Sequence, residues 1–243
     1  MKTIAAVLLG ALLAAGPAYG LDGNEILKKV DANLQPESFE SYRKLINVEP
    51  NGEKREFLLF TLKKGKDKLI SLFLAPASDK GRGTLRLGDN MWLYIPNVGK
   101  PIRITSLQSV IGGVFNNADI LRLDYNVEYD VKGMKEEGKE YILDLKAKTD
   151  AVAYDRLKMR VDKGALLPTR VECYAASGLL IKTLYFKELK KFEDGMVRPA
   201  IVETDSPLYK GYKSYMVYAQ MKKREVPDEY FTLNFLPNVG TIR

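Results

Sequence analysis

The chain has 243 residues, with 38 Lys and Arg against 31 Asp and Glu, one cysteine and no histidine. Lack of histidine removes the Ser-His and Cys-His nucleophile pairs and the commonest metal ligand, and a single cysteine excludes an intramolecular disulfide. The basic excess points toward an acidic partner such as anionic lipid head groups or an acidic protein; the interspersed Lys, Arg, Asp and Glu suit nucleic acid poorly.

Residues 1–20, MKTIAAVLLGALLAAGPAYG, join a charged Lys2 to the apolar run Ile4 to Ala15 and to small residues at Ala18 and Gly20. This pattern predicts a secretory signal peptide cut after Gly20. The run is shorter than the ~20 residues that a membrane span needs. No cysteine stands at the cut to take a lipid, and no later apolar run is long enough to span. Residues 21–243 are therefore expected as one exported domain, neither lipid-anchored nor membrane-spanning. In LDGNEILKKVDANL, Asp22 suits an N-cap with Glu25 three residues on, and Ile26, Leu27, Val30 and Leu34 share a face. A short amphipathic helix is predicted there, ended by Pro36.

Period two then takes over. In REFLLFTLKK, Leu58, Phe60 and Leu62 oppose Phe57 and Leu59; in DKLISLFLAP, Ile70, Leu72 and Leu74 oppose Leu69 and Phe73. Antiparallel sheets usually wet one face, so strands apolar on both need a cover on each side. In DNMWLYIPNVGKPIRIT, Trp92 and Tyr94 share a face, Pro96–Gly99 has the chemistry of a hairpin loop, and Arg103 on the return strand is a candidate anionic contact. The same PNVG recurs at 237–240. Residues 106–122, SLQSVIGGVFNNADILR, hold Gly112-Gly113 and Asn116-Asn117 in an apolar stretch, predicting short helical turns and a mobile loop.

LRLDYNVEYDVK, residues 121–132, alternates so regularly that it predicts one half-buried strand. EYILDLKAK and YDRLKMRVD repeat the pattern, GYKSYMVYAQ does so loosely, and Cys173 alternates with Val171 as a small buried hydrophobe. Turn signals between these runs give about ten or eleven strands in a meander of hairpins. A sheet that long must curl. The densest acidic groups, Glu136-Glu137 and Asp124, Glu128 and Asp130, fall in a charged turn and on a polar strand face, where solvation is favoured over acid–base work. Gly81-Arg82-Gly83 lacks phosphate-loop spacing. No enzyme activity, metal or cofactor is expected. A curled apolar sheet can enclose a cavity, or its side chains can simply fill a core.

In order and spacing, GDNMWLYIPNVGKPIRIT, YILDLKAK, YDRLKMRVDKGALLPTRVECYAASGLLIKTLYFKE and GMVRPAIVET resemble the LolA-like family of outer-membrane lipoprotein-sorting proteins, over residues 22–235. The resemblance implies a mainly β fold with a few short helices: a large curved antiparallel sheet forming an unclosed β-barrel, with a helical lid over a hydrophobic cavity. It also implies a periplasmic carrier of acylated protein or lipid cargo, served by an inner-membrane transporter or exporter complex and an outer-membrane acceptor. On this reading the cavity is lined by Leu58, Phe60, Ile70, Leu72, Leu74, Leu85, Trp92 and Tyr94. The lid presents Ile26, Val30, Val110, Ile111, Val114 and Phe115. The family's early-strand arginine, which ties the lid through backbone carbonyls, finds only Lys66 and Lys68 in KGKDKLISLFLAP and is not carried over. Enclosing a sixteen-carbon chain would gain on the order of 13 kcal/mol gross, so a carrier must bind loosely, and Gly112-Gly113 hinges would suit a lid that opens. The alternative is a regulatory module that senses lipoproteins and docks an anti-sigma factor. A chain ending at Arg243, soon after the sheet, counts against the added domain of such regulators.

Overall fold

A computed structural model describes residues 22–109 and 111–243. The leader expected at residues 1–20 and the lid candidate Val110 lie outside them. Helix α1 (Gly23–Leu34) starts where its sequence predicts: the Asp22 carboxylate accepts the Glu25 amide at 2.9 Å, and Ile26, Leu27, Val30 and Leu34 are buried. Gln35 caps its far end, one residue before Pro36.

Thirteen antiparallel strands are found among the described residues: β1 (Phe39–Val48), β2 (Lys54–Lys64), β3 (Lys68–Ala75), β4 (Gly83–Leu87), β5 (Asn90–Tyr94), β6 (Ile102–Ile104), β7 (Tyr129–Glu137), β8 (Glu140–Ala147), β9 (Arg156–Asp162), β10 (Pro168–Tyr174), β11 (Leu180–Lys191), β12 (Val197–Asp205) and β13 (Lys213–Lys223). The count exceeds the ten or eleven expected because pieces as short as β6 carry too little alternation to be recognised. They make one sheet, ordered β6-β5-β4-β3-β2-β1-β13-β12-β11-β10-β9-β8-β7. Its outer strands β6 and β7 do not pair, so the barrel is unclosed. The chain between them, residues 105–128, holds two single-turn helices, α2 (Asn117–Ile120) and α3 (Tyr125–Glu128).

α3 corrects the single strand predicted at 121–132. Leu121, Leu123 and Tyr125 are buried in alternation, but the chain then turns once as helix, and β7 begins only at Tyr129. The cause comes from α1: the Asp31 carboxylate accepts the Tyr125 and Asn126 amides, both at 2.8 Å, and so caps α3. A free N-terminal turn satisfied in this way favours helix over extended chain.

β2 and β3 are covered on both faces, as their composition requires. Phe57, Leu59, Leu69 and Phe73, with Met91 of β5, belong to the main core under α1 and the lid. Phe60, Leu62, Ile70, Leu72 and Leu85 face the other way, beneath Val226, Phe231, Leu236, Val239 and Ile242 of the C-terminal segment. Burying each such side chain contributes roughly 1.5–3 kcal/mol before entropy is counted. Gly83 permits this cover: a Cβ there would stand 2.8 Å from Val239 Cγ1. Asp228 at the start of the tail bonds Lys64 and Lys68, each at 2.8 Å.

PNVG at 96–99 is a turn closed by the Val98 amide on the Ile95 carbonyl at 2.9 Å, with Gly99 at φ 79°. At 237–240 the same tetrapeptide lies in a 3-10 turn, Leu236–Thr241, with Val239 buried on the sheet. Local sequence sets the turn; the surroundings decide which kind.

Candidate functional site: the lid and the space beneath it

The inner face of β1 carries Phe39, Ser41, Arg43, Leu45 and Asn47, all buried. Three of these are polar, and two reach the lid. Asn47 Nδ2 donates to the Ile111 and Gly112 carbonyls, both at 3.2 Å. Its Oδ1 accepts from Ser214 Oγ at 2.8 Å, while that oxygen accepts the Val114 amide at 2.9 Å. Arg43 Nη1 donates to the Ile120 carbonyl at 3.0 Å, and Nη2 is braced by Thr61 and Ser71 at 2.7 and 3.3 Å. From β4, Arg86 donates to the Leu121 carbonyl at 3.1 Å and pairs with Glu128 of α3. From β11, Lys182 bonds the Val114 carbonyl and the Asp119 carboxylate, the latter at 2.8 Å. Asn116 caps α2 in a reciprocal box with Asp119, and Tyr154 of the β8–β9 connection donates to Asp119 at 3.0 Å. The lid is thus tied to four strands through its own main chain. A hydrogen bond to a charged donor contributes about 1.5–3 kcal/mol.

Arg43 of β1 is a buried arginine that donates to a lid carbonyl, as Arg86 of β4 also does. In KGKDKLISLFLAP, Lys68 instead holds the tail through Asp228, and Lys66 is exposed. The signal available was SYRKLIN, where Ser41, Arg43 and Asn47 hold the parity of Phe39 and Leu45.

The predicted lining and lid residues do not meet. Ile26, Val30, Ile111 and Phe115 are buried in the main core, and Val114 is buried. Phe60, Ile70, Leu72 and Leu85 lie on the opposite face with the tail, and Leu74, Trp92 and Tyr94 pack partly buried against them. Leu58 is half-buried in neither cluster, and Arg103 is exposed beside Asn90. The correction is one of parity: with both faces apolar, a shift of one residue moves every side chain across the sheet. The residues beneath the lid are instead Phe57, Leu59, Leu69, Phe73 and Met91, with Leu157, Val171, Cys173 and Leu184 of the other arm.

Beneath the lid a hollow of about 20 Å³ lies between Asp119, Arg122, Tyr125, Tyr154, Cys173 and Leu184. That holds about one water molecule. A larger ligand does not fit this hollow as it stands. Burial pushes the Cys173 thiol well above its ordinary range, which makes it inert. Burial, helped by nearby Asp124, raises the Asp31 carboxyl to about 6 despite the amides it accepts. Among the described residues no group of His, Cys, Asp or Glu could hold a metal ion, and no helix is long and apolar enough to cross a membrane.

A family model described as that of an uncharacterized protein matches residues 65–238. The chain belongs to that family. Its fold is that of the LolA superfamily. A LolA superfamily protein from Nitrosomonas europaea is 27% identical, with a TM-score of 0.80 over 89% of this chain and 100% of that one. An outer membrane lipoprotein-sorting protein domain from Vibrio parahaemolyticus gives 0.76 at 20% identity over 88% and 98%. A DUF1329 family protein from Desulfovibrio piger gives 0.76 at 23% identity over 88% and 97%. No curated protein matches in sequence. The LolA-like resemblance of the WLYIP region therefore holds for the whole architecture: a curved, unclosed sheet with its open side spanned by a short helical cover.

Proposed function

We propose that this LolA-like chain is a non-enzymatic periplasmic carrier, exported by the leader at residues 1–20, that encloses the acyl chains of a lipoprotein or lipid between its inner sheet face and the lid. It would take cargo from an inner-membrane transporter or exporter and yield it to an outer-membrane acceptor. One observation supports this above the others: the cover over the apolar inner face is held by side chains bonded to lid carbonyls, so it can lift without dismantling the sheet. The likeness to the Nitrosomonas protein and to a lipoprotein-sorting domain supports the same reading.

Native mass spectrometry of gently purified protein, paired with displacement of a fluorescent acyl probe, tests it. The expected result is a retained acyl compound, and probe displaced by an acylated peptide but not by the same peptide without its chains. Folded protein that neither retains nor binds any acylated molecule would sink the proposal.

A further inference from the structure

Among the described residues, six cationic side chains are buried or partly buried on the inner side, and they divide into two groups. Lys63, Arg86 and Lys182 each have a carboxylate partner: Asp124 at 3.0 Å, Glu128, and Asp119 at 2.8 Å. Arg43 of β1, Arg198 of β12 and Arg122 of the lid pair with no carboxylate within 4.0 Å among the described residues. Arg43 and Arg198 are only 5% and 1% exposed. In place of acids they contact neutral atoms: Arg43 the Ile120 carbonyl and Met216 Sδ at 3.5 Å, Arg198 the Leu34 and Pro199 carbonyls and Met221 Sδ at 3.6 Å. Arg43 Nε and Arg198 Nη2 are buried without any partner. Both guanidiniums lie over the ring of Tyr218, at 5.9 and 3.9 Å from its centroid, and Arg122 packs on Tyr125 at 4.8 Å. Two buried carboxylates of the inner side are engaged elsewhere: Asp31 caps α3, and Asp119 serves Lys182 and Tyr154.

The one acidic group beside them, the Tyr218 phenol, can offset at most one of the three charges even when ionised; burying the remainder is costly, and planar guanidiniums with free N–H groups match phosphate and carboxylate oxygens. Lifting the lid takes the Ile120 carbonyl from Arg43 and frees the space beside it. The geometry points to a binding site for an oxyanion here: the phosphate or carboxylate head of an acyl lipid, held by Arg43 and Arg198 and covered by Arg122. This deepens the carrier proposal and rests on it. The cargo class becomes an anionic lipid, its chains on the apolar inner face and its head at Tyr218.

The test measures displacement of a fluorescent acyl probe by phosphatidic acid and by diacylglycerol of the same chain length, and by a fatty acid against the matching fatty alcohol. The anionic member of each pair is expected to bind about tenfold tighter, the value of one charged hydrogen bond. Arg198→Gln is expected to remove that preference, read as the ratio of anionic to neutral affinity, and Arg198→Lys to keep part of it. Inorganic phosphate should not displace the probe; displacement by phosphate alone would overturn the lipid assignment in favour of a free anion. Equal binding of charged and neutral lipids by the wild-type protein would overturn the anion site while leaving the carrier intact. Binding of neither would overturn both. The wild-type comparison decides without any variant, so an arginine variant that failed to fold would rescue nothing.

Discussion

Tyr218 lies between two guanidiniums in a place that water barely reaches, and its hydroxyl records the balance. Burial opposes ionisation, but Arg198, Arg43 and Arg122 together outweigh it and bring the group down to about 7. Tyrosinate absorbance should therefore show one phenol titrating near neutrality, and Tyr218→Phe should abolish that step; a titration that begins only near 10 would contradict it. Because the folded value is below the unfolded one, this ionisation contributes stability that is full above about pH 10 and lost as pH falls through about 7. The unfolding midpoint of the wild type relative to Tyr218→Phe should accordingly rise between those limits. Little of this arrangement is legible in the sequence. The alternation of β1 could have placed Arg43 with Phe39 and Leu45, but nothing local says that Tyr218 is its cross-strand neighbour, which only the β1–β13 register reveals.

The lid shows which element-scale properties local sequence carries. Its apolar run, broken by paired glycines and asparagines, predicted helical turns within a loop, and α2 with its Asn116 cap is such a turn. The alternation from Leu121 onward failed as a predictor because the capping carboxylate of α3 is Asp31, 94 residues away in sequence. Gly113 is a second long-range requirement: it has φ +73°, and a Cβ would fall 2.2–2.7 Å from the Asn47 side chain. Gly113→Ala should displace Asn47 from the Ile111 and Gly112 carbonyls and loosen the closed lid by roughly 1–3 kcal/mol. Hydrogen exchange should then quicken at residues 111–121 and stay unchanged in β8–β10. Equal protection of the lid in both proteins would refute this role for the glycine.

At the scale of the molecule, fold class, curvature and the need to cover both faces of β2 and β3 were readable from composition and period. Which face met the lid was not, since parity carries no signal when both sides are apolar. Strand order has a kinetic side as well. Eleven of the twelve neighbouring pairs join strands consecutive in the chain, and only β1 with β13 does not. Hairpins close quickly, whereas this one pairing must span most of the polypeptide and bears the loop-closure entropy of the whole sheet. Two meanders, β1–β6 and β7–β13, should thus acquire protected amides first and zip together last along a single seam. Pulse-labelled hydrogen exchange during refolding would show the order, and a β1–β13 seam protected as early as the hairpins would contradict it. A chain made N-terminus first must hold the bare edge of β1 open until its final strand arrives, which makes that edge the place where a stalled or shortened copy would aggregate.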